Sequence, residues 1–285
     1  MLKQSFIHLP RVGKVTESEI WDAGIDSWTD FLHAKQLPSR IHGKRRHLRS
    51  LIQRSEEHYD LRDAAYFDKV LRPGEQWRLY ADFRERAAFV DIETTGLSPE
   101  RGIITMIGVL DADGYTAYVY DDNLADFREA LEHYDLVITF NGAAFDLPYI
   151  EYHFGSIFKH VAHIDLRFPL KRAGFSGGLK AIEQRSGVGR PSELSALSGY
   201  DAVLLWRMWQ RHGIDSARDT LIRYNAEDVA SLPALAEIAY NRLTNRLQAD
   251  VPRLPPSHRH EIDLPYDTDV IDYLTRAKSG LGSTF

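Results

Sequence analysis

Three short segments place acidic and polar residues at spacings that could do chemistry. In "FVDIETTGL", read as a strand, residues two apart point the same way, so Asp91 and Glu93 share one face and Ile92 enters the other. Two carboxylates in one small volume repel each other unless protons or cations neutralise them, and hard oxygen ligands favour Mg²⁺ or Mn²⁺. In "ITFNGAAFDLPYI", an apolar strand ends at Phe140, Asn141-Gly142 makes a turn, and Asp146 stands just inside the next helix. In "RYNAEDVASLPAL", Tyr224 and Asp228 lie at i and i+4 on one helix face, where a phenol can orient water beside a metal-bound carboxylate. Each segment alone also has a plain structural reading: a solvated strand end, a turn whose Asp146 compensates a helix dipole, a half-buried aromatic beside a surface acid.

These residues need a scaffold, and the hydrophobic pattern supplies one. Strand-like runs at Ala87 to Ile92, Ile103 to Leu110 and Thr116 to Tyr120 are joined by connections short enough for an antiparallel meander. A helix with Asn123 as N-cap and Leu124, Phe127 and Leu131 on one face follows, then the apolar strand "DLVITF" and a helix from about Ala143, a step that implies parallel pairing. Beyond residue 165 the chain reads as mainly helical, most clearly between Asp219 and Leu247. The class is α/β, with helices packed on a mixed sheet. Residues 1–85 read as a small helical module, 86–245 as the main domain, and 246–285, interrupted by prolines, as an irregular tail.

The 285 residues, 44% of them hydrophobic, can bury a substantial core. The chain has no cysteine, which excludes disulfides, thiolate metal sites and a cysteine nucleophile. No stretch approaches the length of an apolar membrane span, and a cytoplasmic location without a membrane partner is expected. The net charge of -6 means that any binding of nucleic acid must use local positive patches.

"DIET", "NGAAFDLPYI" and "YNAEDVASL" occur in the order of the Exo I, Exo II and Exo III motifs and together resemble the DEDD exonuclease superfamily, over about residues 87 to 242. The second motif is similar to the form found in family-B DNA polymerase proofreading domains. In the third, Tyr224 stands four residues before Asp228 and Arg223 takes the place of the alternative histidine, so the chain resembles the tyrosine subclass; its domain order resembles the YprB-like family. The resemblance implies a ribonuclease-H-like fold and a 3′-5′ exonuclease that releases nucleoside 5′-monophosphates by two-metal hydrolysis with Mg²⁺ or Mn²⁺. It makes Asp91 the bridging ligand, with Glu93 and Asp228 completing one ion's shell, Asp146 supporting the second ion, and Tyr224 orienting the attacking water.

The implied partner is single-stranded DNA or RNA with a free 3′ end; no motif points to a protein partner. Thr94, Thr95, Gly96 and Leu97 are placed to meet the terminal nucleotide, the plain alternative being strand termination at Gly96, and Asn141 and Phe145 to touch sugar, phosphate or base, Phe145 being equally a core residue. Arg45 and Arg46 lie in a basic stretch from Arg40 to Arg54, which suits phosphates or a solvated helix face. Lys171, Arg172, Lys180, Arg185 and Arg190 are further candidates to line a strand channel. His163 and Asp165 either support the second ion or anchor a helix, and His160 with His163 gives a weak zinc pattern. Val12-Gly13 lies in a segment resembling a degenerate helix-hairpin-helix element, or a simple helical cap. Two other functions remain open on this reading: a non-catalytic nucleic-acid-binding protein on the same fold, and a structure-specific endonuclease.

Overall fold

The computed structural model describes residues 1–256 and 258–281. Six helices come first: α1 (Lys14–Asp22), α2 (Trp28–His33), α3 (Ser39–His42), α4 (Arg45–Asp60), α5 (Ala64–Val70) and α6 (Tyr80–Phe83). Ser27 and Asp63 cap two of them, their side chains accepting from the amides of Asp30 and Tyr66 at 3.1 and 2.9 Å. A buried ion pair ties the segment together: Arg78 meets Glu17 at 2.8 Å, and Glu17 also accepts the Phe6 and Ile7 amides at 2.8 and 3.0 Å. Phe6, Trp28, Phe31, Phe67 and Phe83 belong to the same apolar cluster as Phe89, Leu110, Leu136 and Ile138, so the N-terminal helices share a core with one face of the sheet.

The sheet follows in the order read from the sequence: β1 (Ala87–Thr94), β2 (Ile104–Leu110), β3 (Tyr115–Val119), then α7 (Phe127–Leu131), β4 (Leu136–Thr139), α8 (Asp146–Phe154) and β5 (Ala162–Asp165). Its spatial order is β3-β2-β1-β4-β5, antiparallel across β3, β2 and β1 and parallel across β1, β4 and β5. Alternation along β1 sends Ala88, Val90 and Ile92 into one apolar cluster, with Phe127, Leu131, Tyr149 and Ile150, and Ala87 and Phe89 into the other. Asp91 and Glu93 continue the Ala87–Phe89 face.

The remaining helices are α9 (Arg167–Arg172), α10 (Leu179–Ser186), α11 (Ser192–Ser195), α12 (Gly199–His212), α13 (Asp215–Ala230), α14 (Leu232–Thr244) and α15 (Thr268–Leu281). The run expected between Asp219 and Leu247 is two helices, because Pro233 at the start of α14 cannot continue the hydrogen-bond ladder of α13. Asn123 stands at the N-cap position of a 3-10 turn, Leu124–Asp126, that leads into α7, but its side chain makes no capping bond and turns back to take the Val119 amide at 2.7 Å. The tail is irregular only to Asp267. There the Asp267 carboxylate accepts the Asp269 amide at 2.8 Å and opens α15, whose Val270, Ile271 and Leu274 are buried. Ser257 and residues 282–285, part of the expected irregular tail, lie outside the described residues. Among the described residues no helix is long and apolar enough to cross a membrane.

Candidate active site

The chain leaves β1 toward β2 on one side and leaves β4 toward β5 on the other, and the carboxyl ends of such diverging parallel strands leave a crevice. Pairing between β1 and β4 stops at Phe89 and Ile138. The Ile92 amide, beyond that point, donates instead to the Asp146 carboxylate at 3.2 Å, which fixes the first residue of α8 against β1. Above the sheet lies α13, which brings Tyr224 and Asp228 over the same crevice. The result is a cavity of about 570 Å³ lined by Asp91, Glu93, Asp146, Tyr224 and Asp228.

Asp91, Glu93 and Asp228 each offer a carboxylate oxygen, all within 4.8 Å of one another. Burial and the charges of Asp146, Asp228 and Glu93 push the Asp91 carboxyl well above the usual carboxylate range. Burial and Asp228 do the same to Glu93, and burial raises Asp228 against the opposing pull of Arg190. Asp146 is pushed up to about 7, chiefly by burial, although backbone amides hold it down. Such a group of oxygens is unfavourable as bare anions and fits a hard divalent cation of the Mg²⁺ or Mn²⁺ class.

Residues that the motifs did not single out hold this arrangement. The Asn225 amide donates to Asp91 at 3.0 Å and accepts from the Tyr115 hydroxyl at 2.9 Å. It fits because Gly108, paired with Asp91 across β1 and β2, has no side chain: a Cβ there would lie 1.6 Å from Asn225 Oδ1. Arg190 donates to Asp228 at 2.5 Å and to both oxygens of Glu183, at 2.8 and 2.7 Å, and Ser231 donates to Glu183 at 2.6 Å. Lys180 lies 5.5 Å from the Tyr224 ring centre and donates to the carbonyls of Ser195 and Leu197, just ahead of α12. The glycine in β2 and the position of Asn225 beside Tyr224 were the available sequence signals; Arg190 stood out only as a candidate channel residue, and nothing near it in sequence pointed to Asp228.

The expected contact residues divide. Thr94, Thr95, Gly96, Leu97, Asn141 and Phe145 line the cavity, joined by Gly199, Tyr200, Val203 and Arg207 of α12. Thr94 and Thr95 brace the loop, donating to the Gly96 carbonyl at 2.8 Å and accepting the Ile103 amide at 3.0 Å, which leaves Leu97 91% exposed. Phe145 both lines the cavity and packs against the cluster under the sheet. Asp165 organises the Asn141 turn by accepting the amides of Asn141 and Ala143 at 2.7 and 3.2 Å, so it anchors backbone. Asn141 has the left-handed conformation that this turn needs, with φ of 69°, and its side chain accepts from Arg167.

Arg45 and Arg46 are not among the residues lining the cavity. Arg45 closes the end of α2, donating to the Ala34 and Lys35 carbonyls at 2.6 and 2.7 Å, while Arg46 is exposed on α4. Four of the five basic residues expected along a strand channel have internal partners: Arg172 at Gly74, Lys180 at Leu197, Arg185 at Ser176 and Arg190 at Glu183. His163 bonds Thr139 at 2.9 Å, and burial pushes it down to about 4. Among the described residues no ligand cluster includes His160 or His163. Val12 is buried, and Gly13 caps α1.

Compared with solved structures, the chain is similar to the family B DNA polymerase of Pyrobaculum calidifontis at 19% identity and a TM-score of 0.43, over 54% of this chain and 25% of the polymerase. It thus spans a quarter of that protein's length. It is similar to Brucella melitensis NrnC with bound Mg²⁺ at 21% identity and a TM-score of 0.40, over 58% and 77% of the two chains. A third similarity is to the EXO domain of Aedes aegypti Nibbler, at 13% identity and a TM-score of 0.32, over 70% and 92%. No curated protein matches the chain. The family RNase_H_2 matches residues 88–240, which is more than half of the chain and includes the whole sheet apart from Ala87 and all four cavity carboxylates, and the protein belongs to the RNase_H superfamily.

Proposed function

We propose that the protein is a metal-dependent 3′-5′ exonuclease of the tyrosine subclass of the DEDD superfamily, acting on single-stranded DNA or RNA and releasing nucleoside 5′-monophosphates. The observation that carries this reading is the convergence of Asp91, Glu93, Asp146, Asp228 and Tyr224 on one cavity, with three carboxylates close enough to share an ion. Asp91, Glu93 and Asp228 would hold one divalent cation, and Asp91 with Asp146 a second. When bound, such ions supply activation of the attacking water and neutralise charge on the leaving oxygen.

The chain's own residues do the rest. Asn225 fixes the orientation of Asp91, and Arg190 fixes that of Asp228. Burial and the neighbouring acids push the Tyr224 phenol far above its ordinary value, so it stays protonated and orients water by hydrogen bonding. Leu97 and Phe145 present apolar surface to the terminal base. No side chain need form a covalent intermediate, consistent with the absence of cysteine.

Digestion of end-labelled oligonucleotides with Mg²⁺ or Mn²⁺ tests the reading. A 5′-labelled single strand of DNA or RNA should give a descending ladder, and a 3′-labelled one should lose its label first as a mononucleotide. Internal fragments as the earliest products, or full activity in excess EDTA, would reject it.

A further inference from the structure

Helix α12 presents two faces. Asp201, Ala202, Leu205 and Trp206 are buried, whereas Tyr200, Val203 and Arg207, at i, i+3 and i+7, form a stripe on the wall of the acidic cavity. Tyr200 is 63% exposed, and Arg207 is exposed as well. Neither makes a hydrogen bond, ion pair or ring contact among the described residues. The cavity is lined by four carboxylates, and Arg207 is the one Lys or Arg among its described lining residues. A cation left unpaired beside four acids is not there to neutralise them. It is available to an anion that enters with its own counter-ions, and a planar ring on the same stripe suits a base.

We propose that the Tyr200–Val203–Arg207 stripe is a subsite for a single-stranded polynucleotide, Tyr200 stacking on a base and Arg207 holding a backbone phosphate of a nucleotide other than the one released. Seven residues of helix separate the two by about 10 Å, roughly three stacked bases, so they address different nucleotides. The assignment rests on the nuclease reading for its ligand class. It adds that affinity is gained from nucleotides beyond the scissile bond, and that longer strands bind more tightly than dinucleotides.

The test is fluorescence anisotropy on the full chain carrying Asp146→Asn to prevent turnover, with labelled dT8, rU8 and dT2 in Mg²⁺ over a range of salt. Tyr200→Ala should weaken octanucleotide binding by about 5- to 100-fold with an unchanged salt slope, while Tyr200→Phe retains affinity. Arg207→Ala should make the slope of log K against log salt less negative by about 0.7, the value for one single-strand phosphate, and Arg207→Lys should restore it. The double variant should bind the octamers no more tightly than dT2. No octanucleotide binding by the parent protein, or Tyr200→Ala and Arg207→Ala variants that bind like the parent, overturns the subsite. Wild-type protein that binds octamers through α12 yet cleaves none would support the subsite and remove the exonuclease reading; cleavage unaccompanied by any α12 effect on binding would do the reverse.

Discussion

The Asn225 side-chain amide stands between the Tyr115 hydroxyl and the Asp91 carboxylate, accepting from the first at 2.9 Å and donating to the second at 3.0 Å. It joins β3, α13 and β1 at one point, over the bare backbone of Gly108. A partner that orients a ligand carboxylate is commonly worth 10- to 100-fold in metal affinity. Asn225→Ala should therefore weaken Mn²⁺ binding by about that factor in calorimetric titration. Gly108→Ala should do the same by pushing Asn225 aside. Unchanged Mn²⁺ affinity in a folded Asn225→Ala protein would remove the amide from the site.

The crowded carboxylates give metal-free stability a definite dependence on pH. Asp146 is raised from 3.8 to about 7, and Asp91, Glu93 and Asp228 are raised as well. The folded state therefore holds protons that the unfolded chain has released. The stabilisation is complete below the unfolded value near 4 and is lost as pH rises through about 7. Thermal unfolding in EDTA should show a midpoint that falls as pH rises from about 4 through about 7. Added Mn²⁺ should oppose the fall, because the cation binds the deprotonated carboxylates. Asp146→Asn should flatten the EDTA profile; a variant profile parallel to the wild type would count against the linkage.

Tyr224 tests a finer point of mechanism. Burial and Asp228 favour the protonated phenol, and the proposed mechanism accordingly gives Tyr224 the role of orienting water by hydrogen bonding. Tyr224→Phe should leave Mn²⁺ and oligonucleotide affinity intact and slow the single-turnover rate by less than about 100-fold, below the loss expected for a general base. The shape of the pH–rate profile should also persist. A larger loss, with one limb of the profile missing, would assign Tyr224 to proton transfer.

Much of this was legible in the sequence, because strand and helix periodicity are local properties. Asp91 and Glu93 share a face by the two-residue repeat of β1, and Tyr224 and Asp228 by the turn of α13. The partners of these residues were not legible, because they arrive through tertiary contact. Arg190 meets Asp228 from 38 positions away, and Tyr200 and Arg207 reach the cavity only because α12 lies across β1. The basic run around Arg45, read as suiting phosphates or a solvated helix face, shows the same limit. Composition could not show that Arg45 and Arg49 donate to the carbonyl end of α2 while Arg46 stays exposed. Helix α15 was obscured by the prolines before it, although Asp267 and the Val270–Leu274 spacing mark its start.

Arg190 and Asp91 should respond to truncation in opposite directions. Arg190 is 3% exposed on its side chain and balances Glu183, itself 2% exposed, as well as Asp228. Removing it leaves the buried Glu183 carboxylate with a hydrogen bond from the Ser231 hydroxyl but without its ion-pair partner, and breaking such a pair from one side costs about 3–5 kcal/mol. Arg190→Met should lower the unfolding free energy by about that amount in urea titrations with EDTA present. Glu183→Met in the same chain should restore much of it, because the stranded charge is then gone. Asp91→Ala works the other way: it removes one of several mutually repelling acids, so metal-free stability should hold or rise while nuclease activity and Mn²⁺ binding are lost. A neutral Arg190→Met, or a double variant less stable than the single, would mean that the Glu183–Arg190–Asp228 chain is loosely held in solution and does not position the metal ligand. A strongly destabilised Asp91→Ala would likewise show that the Asn225 bond outweighs repulsion within the cluster.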